Sequence, residues 1–303
     1  MKHLVSVTDL SHEEVLHLFE VAAELKAGRK AGHVTAPLAG RALALIFEKP
    51  SLRTRVTFEV GTVQLGGRAV YLAAGEVGLG TRESVPDVAR NLSLWVDGIV
   101  ARVNRHDTVV SLARHANVPV FNALSDHEHP CQALADYFTL WERGLDFSRA
   151  RIAWIGDGNN VCHSLLLMGA LLGASLTAAC PAGYEPSPEV QASVRAKGAR
   201  LDLTHDPRAA AAGADVLYTD VWTSMGQEGE RARRLEAFQG YQINEALVRL
   251  ARPTAVVMHC LPAHRGEEIT DAVLDGPQSV VLDQAENRLH AQKAVIKEFI
   301  GDR

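Results

Sequence analysis

Short apolar runs alternate along the chain with longer stretches whose apolar residues recur every three or four positions. The runs "ALALIFE" (42–48), "RAVYLA" (68–73), "GIVAR" (98–102) and "VPVFNAL" (118–124) read as strands in the first half. A second cycle begins at 151–156 and continues with 175–180, 199–204, 214–222, 255–262 and 279–284. Helical spacing follows Ser11, where Glu14 completes a capping box, and again over "RTRVTFEVGTVQLGG". The segment 129–144 has apolar residues at 134, 137, 138 and 141 and stops at Gly144, and the stretch after Gln284 is a last helix. Strand–helix alternation of this kind predicts an α/β protein with parallel sheets. Two cycles predict two doubly wound parallel-sheet domains. One is 1–135, completed by the C-terminal helix 286–303, and the other is 150–285.

In open parallel sheets ligands collect at the carboxyl ends of strands, where helix N-termini expose their N–H groups. Several polar clusters fall at such ends. In "FEKPSLRTR" (47–55) Pro50 ends a strand and Ser51 is placed to cap the next helix, leaving the N–H groups of 52 to 54 aimed outward. With Ser51, Arg53 and Thr54 these would cradle a phosphate. Arg53 and Arg55 lie about 200° apart around a helix, so Arg53 is assigned to the anion and Arg55 to a structural ion pair. A capped helix with solvated arginines accounts for this stretch equally well. Arg102 ends its strand at the same edge.

"HEHPC" (127–131) offers two histidines and a cysteine. It has neither four ligands nor a zinc-type spacing, so His129 reads better as a hydrogen-bond donor, with Gln132 one turn on. "WIGDGNNVCHS" carries Gly156 and Gly158 after a strand but Val161 where a third glycine would complete a dinucleotide fingerprint. A tight turn explains both glycines, and the asparagines suit an amino acid's polar head. In "DVWTSMGQEGE", Asp220 supplies a carboxylate for an amine, while Ser224 and the backbone of 225–226 offer donors to a carboxylate. Cys260 in "HCLP" could be a nucleophile, a buried thiol or a polar wall, and the sequence identifies no catalytic base for it. Arg288 in "ENR" is expected in the first turn of the last helix.

Composition narrows the field. Apolar residues make up 47 % of 303 and charged residues 22 %, with a formal charge of −5. Such a balance argues against a general nucleic-acid or membrane-surface binder, so any positive patch is local. No apolar run reaches the roughly 20 residues of a membrane span, and the N-terminus lacks a signal peptide's pattern. The cysteines Cys131, Cys162, Cys180 and Cys260 are far apart, as expected of thiols in a reducing cytoplasm.

"SLRTR", Arg102, "HPCQ", "DVWTSMG", "HCLP" and "ENR" occur in the order and spacing of the transcarbamoylases, and the resemblance runs over effectively the whole chain. "SLRTR" and "HPCQ" resemble the carbamoyl-phosphate half shared across the family, whereas "SMG" with "HCLP" is similar to its ornithine-using branch. The resemblance implies carbamoyl transfer from carbamoyl phosphate to the δ-amine of L-ornithine in a cleft between the domains, without metal or organic cofactor. It implies that Ser51, the Leu52 backbone, Arg53 and Thr54 bind the phosphate and that Arg102 bridges phosphate and carbonyl. His129, with Thr54 and Arg102, would polarise the carbonyl oxygen. Gln132, the main chain of Cys260 and Leu261, and Arg288 would hold the carbamoyl NH2 group. Asn160, Asp220, Ser224 and Met225 would seat ornithine, with Asn159 beside them and with Asp220 and Cys260 near the reacting amine.

It further implies a homotrimer or a multiple of trimers. Two positions depart from the pattern: Leu52 replaces a threonine, and Gly78 replaces a Gln or His that reaches a neighbouring subunit. The competing readings are a related transcarbamoylase with another amine acceptor and a nicotinamide-dependent dehydrogenase built on Gly156 and Gly158.

Overall fold

Nine of the ten apolar runs expected as strands are strands, and all nine lie in parallel sheets. The computed structural model describes residues 2–33, 35–224 and 226–301, apart from the side chains of Ala74 and Glu228. The chain divides into two compact units, Met1–Phe138 with Glu286–Arg303 and Thr139–Ala285.

The first unit contains β1 (Ala42–Phe47), β2 (Arg68–Ala73), β3 (Gly98–Arg102) and β4 (Val120–Leu124), in the spatial order β2-β1-β3-β4. The connections leave β1 first to one side and then to the other, so the switch point lies between β1 and β3. Phe47 and Arg102 pair in register at that point. β3 is buried throughout, and β1 at all but its first residue, which is why both read as unbroken apolar runs. The edge strand β2 is only partly covered. Ile46, Ile99, Val109 and Leu112 belong to one buried cluster on this sheet. The helix His12–Lys30 starts at the expected capping box, with Ser11 accepting from the N–H of Glu14, and buries Val15, Leu18, Phe19 and Ala22 at helical spacing.

The second unit orders β5 (Arg151–Ile155), β6 (Ser175–Ala179), β7 (Leu201–Thr204), β8 (Val216–Thr219) and β9 (Val256–His259) as β7-β6-β5-β8-β9. Its switch point lies between β5 and β8. Ile155, Leu217 and Val257 share a core with Trp222, Phe238 and Ile243. β8 is shorter than the run 214–222 suggests. The Thr219 hydroxyl donates to the carbonyl of Ile155 at 2.6 Å where the strand ends, and Asp220 lies just beyond it.

The run 279–284 is not a strand. Ser279 makes one isolated bridge to Val257, and the helix Val281–Ile296 begins two residues later. Positions 281, 284, 287, 288 and 291 are buried while Leu282 and Asp283 are exposed, a period near 3.6 rather than 2. A six-residue apolar run cannot distinguish these alternatives by itself. Arg288 consequently sits two turns inside the helix rather than in its first turn.

Gly156 and Gly158 owe their identity to backbone geometry. Gly156 has φ 138°, and the N–H of Gly158 donates to the carbonyl of Tyr184 at 2.8 Å. A Cβ on Gly158 would collide with the backbone of Glu185 and Pro186. Gly158→Ala should therefore destabilise the second unit by about 1–3 kcal/mol, the usual cost of overpacking where the neighbour cannot yield. Chemical denaturation monitored by tryptophan fluorescence would measure the loss.

Candidate active site

At the switch point of the first unit, Ser51 caps the helix Leu52–Gln64 by accepting the N–H of Thr54 at 3.3 Å. That N–H is used in the cap, so of the outward-facing N–H groups expected there, Thr54's is not available to a ligand. The helix turns Arg55 away from the site: it pairs with Glu59 at 3.0 Å and stacks over Tyr71 at 3.7 Å. The same turn buries Thr54, whose Oγ1 accepts from Arg288 Nη2 at 3.1 Å and from Arg102 Nη1 at 3.5 Å. A hydroxyl whose lone pairs face two guanidinium groups directs its own O–H elsewhere, as a donor. Arg288 Nη1 also donates to Gln132 Oε1, and Gln132 Nε2 donates to Asp136 Oδ1 at 2.8 Å.

His129 precedes the helix Pro130–Glu142 and is buried. Burial holds its pKa well below the ordinary imidazole range, and the charges of Arg288, Arg102 and Arg53 add to the effect. A neutral imidazole among three guanidinium groups carries one N–H and one acceptor nitrogen. Ser51, Arg53, Thr54, Arg102, His129, Gln132 and Arg288 thus form one cationic, donor-rich surface in one unit. Such crowding of like charge invites an anion and disfavours a metal ion at His129.

At the second switch point, Asn159 caps the helix Asn160–Leu172, its Oδ1 accepting from the N–H groups of Val161 and Cys162. Its Nδ2 donates to Asp220 Oδ2 at 2.9 Å, and Cys260 Sγ donates to Asp220 Oδ1 at 3.0 Å. Asp220 is buried and held by two uncharged donors. Ser224 opens a turn in which its N–H meets Gln227 Oε1 at 3.1 Å and its carbonyl accepts from the N–H of Gln227. Met225 lies outside the described residues. After Cys260, Leu261 adopts φ 59°, a conformation unfavourable for a side-chain-bearing residue. Its N–H is engaged by His259 Nδ1 at 2.9 Å, so the backbone groups left at 260–261 to meet a ligand are chiefly carbonyls.

Residues 2–142 match the family described as "Aspartate/ornithine carbamoyltransferase, carbamoyl-P binding domain", and residues 148–299 match its "Asp/Orn binding domain". The chain belongs to the aspartate/ornithine carbamoyltransferase family. It is 51 % identical over 299 residues to an ornithine carbamoyltransferase of Methanosarcina acetivorans, covering 99 % of each chain. It is 54 % identical over 295 residues to that of Thermus thermophilus, covering 97 % of this chain and 95 % of that one. The solved ornithine carbamoyltransferase of Pyrococcus furiosus superposes with a TM-score of 0.96 at 49 % identity, over 100 % of this chain and 98 % of that one. The dehydrogenase reading falls with these matches.

Among the described residues, two groups of side chains approach metal-ligand geometry, Asp220 with His259 and Cys260, and His264 with Glu267 and Glu268. Several of their donor atoms are committed to other bonds, while His264 Nδ1 and Glu268 Oε2 are buried without a hydrogen-bond partner among the described residues. His259 uses Nδ1 for the N–H of Leu261 and Nε2 for Glu268 Oε1, while Glu267 pairs through both oxygens with Arg231. Sequence reasoning did not find the His259–Glu268 pair, nor a buried ion pair between Asp157 and Arg234. Neither pair has a spacing signature, because partners 9 and 77 positions apart meet only through the fold.

Histidine-selective NMR should find the His129 ring neutral from about pH 8 down to about pH 6, where an unperturbed imidazole gains its proton. In Arg288→Gln, loss of one facing cation should move His129 titration upward. A ring that protonates at the ordinary value in the unaltered protein would contradict the cationic environment described.

Proposed function

We propose that the chain transfers the carbamoyl group of carbamoyl phosphate to the δ-amine of L-ornithine, giving L-citrulline and phosphate. The observation that carries this reading is the convergence of Arg102 and Arg288 on Thr54 beside a neutral His129. An acyl phosphate needs such a set: cations for the phosphate and aimed donors for the carbonyl oxygen. Ser51, the Leu52 backbone, Arg53 and Thr54 take the phosphate, with Arg102 spanning phosphate and carbonyl. His129, donating through its one N–H, and the Thr54 hydroxyl meet the carbonyl oxygen as negative charge builds on it. Gln132, Arg288 and the backbone at Cys260 and Leu261 orient the carbamoyl amide. The donor half is residues 1–135 with 286–303, and the acceptor half is 150–285.

Asn159, Asn160, Asp220, Ser224 and Met225 receive the amino acid, and relatives about half identical in sequence carry the ornithine name. A lysine-like δ-amine has a pKa of about 10.4 and must lose its proton before it attacks. Asp220 favours the protonated amine, so its part is orientation, with Cys260 as a polar wall. The neutral nitrogen forms a bond to the carbonyl carbon. The bond from that carbon to the phosphate oxygen breaks, and the leaving phosphate carries away the electron pair and accepts the amine proton. Atoms and electrons balance without a redox group.

Assembly as a homotrimer, or a multiple of trimers, is supported by the outer face of the helix Leu52–Gln64. Leu52, Val56, Val60 and Val63 form an exposed apolar stripe at helical spacing, with Leu52 73 % and Val63 65 % exposed. A stripe of this kind marks a protein-binding face. The thiol state of the four cysteines supports placement in the cytoplasm, and interconversion of ornithine and citrulline supports a role in arginine biosynthesis or arginine catabolism. No helix among the described residues is long and apolar enough to cross a membrane.

Purified protein should form citrulline from carbamoyl phosphate with ornithine in preference to putrescine, acetylornithine or aspartate. Preference for another amine would overturn the reading of residues 220–226. Arg102→Ala should lower kcat by about 100-fold or more, in line with loss of an oxyanion donor. Val56→Asp with Val60→Asp should shift the protein toward monomer in light scattering, because two charges would have to be desolvated at the shared face.

A further inference from the structure

Arg234 has no part in the chemistry described, yet it is among the most committed side chains of the second unit. It lies in the helix Arg231–Ala237 and is 6 % exposed. Its Nη1 donates both to Asp157 Oδ2 and to the backbone carbonyl of Trp222, each at 2.9 Å. Its Nε donates to Glu230 Oε2 at 3.1 Å, and the guanidinium lies 5.0 Å from the centre of the Tyr184 ring. Asp157 stands two residues beyond β5, and Trp222 stands two residues beyond Asp220 after β8. One side chain therefore joins the ends of the two strands that flank the switch point.

Two features make this tie consequential. The side chains of the loop supply little of their own hold: Trp222 Nε1 and Thr223 Oγ1 are buried without a hydrogen-bond partner among the described residues. The bond from Arg234 to the Trp222 carbonyl is a polar anchor in the middle of that stretch, between the bonds made by Asp220 and by Ser224. The second feature is charge. Burial, helped by the nearby charges of Asp220 and Glu230, pushes the Asp157 carboxyl up to about 6 against the pull of Arg234. Asp157 and Asp220 are thus neighbouring carboxylates, and Arg234 neutralises the one that does not meet substrate. A lysine could not replace it, because only the planar fork reaches a carboxylate, a carbonyl and an aromatic face together.

We propose that Arg234 is a positioning residue for the amino-acid acceptor, holding the 220–224 segment against the end of β5 and confining the negative charge of that site to Asp220. The proposal rests on the carbamoyl-transfer reading above and adds to it a residue that touches neither substrate. A merely structural ion pair would affect stability and leave substrate use alone.

The test uses Arg234→Met together with the double variant Arg234→Met/Asp157→Asn, in which no buried charge is left unpaired. In both, the KM for ornithine should rise on the order of 10-fold or more, the scale expected when a binding group is displaced by a fraction of an ångström. The KM for carbamoyl phosphate should stay within about two-fold, because its side-chain ligands, from Ser51 to Arg288, belong to the other unit and only the backbone at Cys260 and Leu261 comes from this one. Hydrogen exchange at 220–224 should quicken without substrate present, while the helix Leu52–Gln64 exchanges as before. An ornithine KM unchanged in the folded double variant, equal rises in both KM values, or unaltered exchange at 220–224 would each overturn the proposal. Absence of ornithine turnover in the unaltered protein would instead refute the reaction, and the exchange measurement would still report on the tie.

Discussion

Three guanidinium groups around one neutral imidazole, two of them sharing one hydroxyl, are the constraint on which the first unit is built. Like charges at close range in a poorly hydrated place repel strongly, and Arg102 and Arg288 are held beside one another by fixed neutral acceptors. Thr54 Oγ1 and Gln132 Oε1 are those acceptors, and Gln132 is itself steadied by Asp136. Burial, aided by the same crowding, keeps His129 uncharged, and a neutral ring is what lets it share the site with three arginines and still offer an N–H. Electrostatic repulsion in the resting protein and attraction for an anionic acyl donor have one cause.

The second unit applies the same topology to the opposite charge. Its switch point presents Asp220, a buried carboxylate held by Asn159 and Cys260, which steady it without neutralising it. A second carboxylate nearby, Asp157, has its charge absorbed by Arg234. In both units the end of a strand and the start of a helix meet where the strand order reverses, and there the backbone leaves space for side chains to converge. The fold is common ground, and the charge chosen for each switch point sets what each can hold.

Most of the scaffold was legible in the sequence because its signals are local. Ser11 with Glu14, and Ser51 before Leu52, cap helices where their spacing says they should. The central strands read as apolar runs because residues buried on both faces of a parallel sheet must be apolar without interruption, although the edge strands β2 and β7 are only partly covered. The failures share a reason. At 279–284 the apolar run was too short to reveal its period, and burial at 281, 284 and 288 made it helical. At β8, local propensity favoured a longer strand, and the Thr219 hydroxyl bonds across to Ile155 where the strand ends. Asp157 and Arg234 were passed over because nothing near either residue in the sequence announces the other.

Taken alone, the sequence determined the residue types that the chemistry requires and the local elements that carry them, since capping, periodicity and turn propensity act over a few positions. Their convergence was decided by the tertiary structure. Thr54 meets Arg102 across 48 positions and Arg288 across 234, and Asp220 meets Cys260 across 40. Those meetings depend on strand order and on parallel crossovers, which no short stretch encodes. The neutrality of His129, the cap that uses the N–H of Thr54 and the tie through Arg234 all depend on neighbours that only the packed chain supplies.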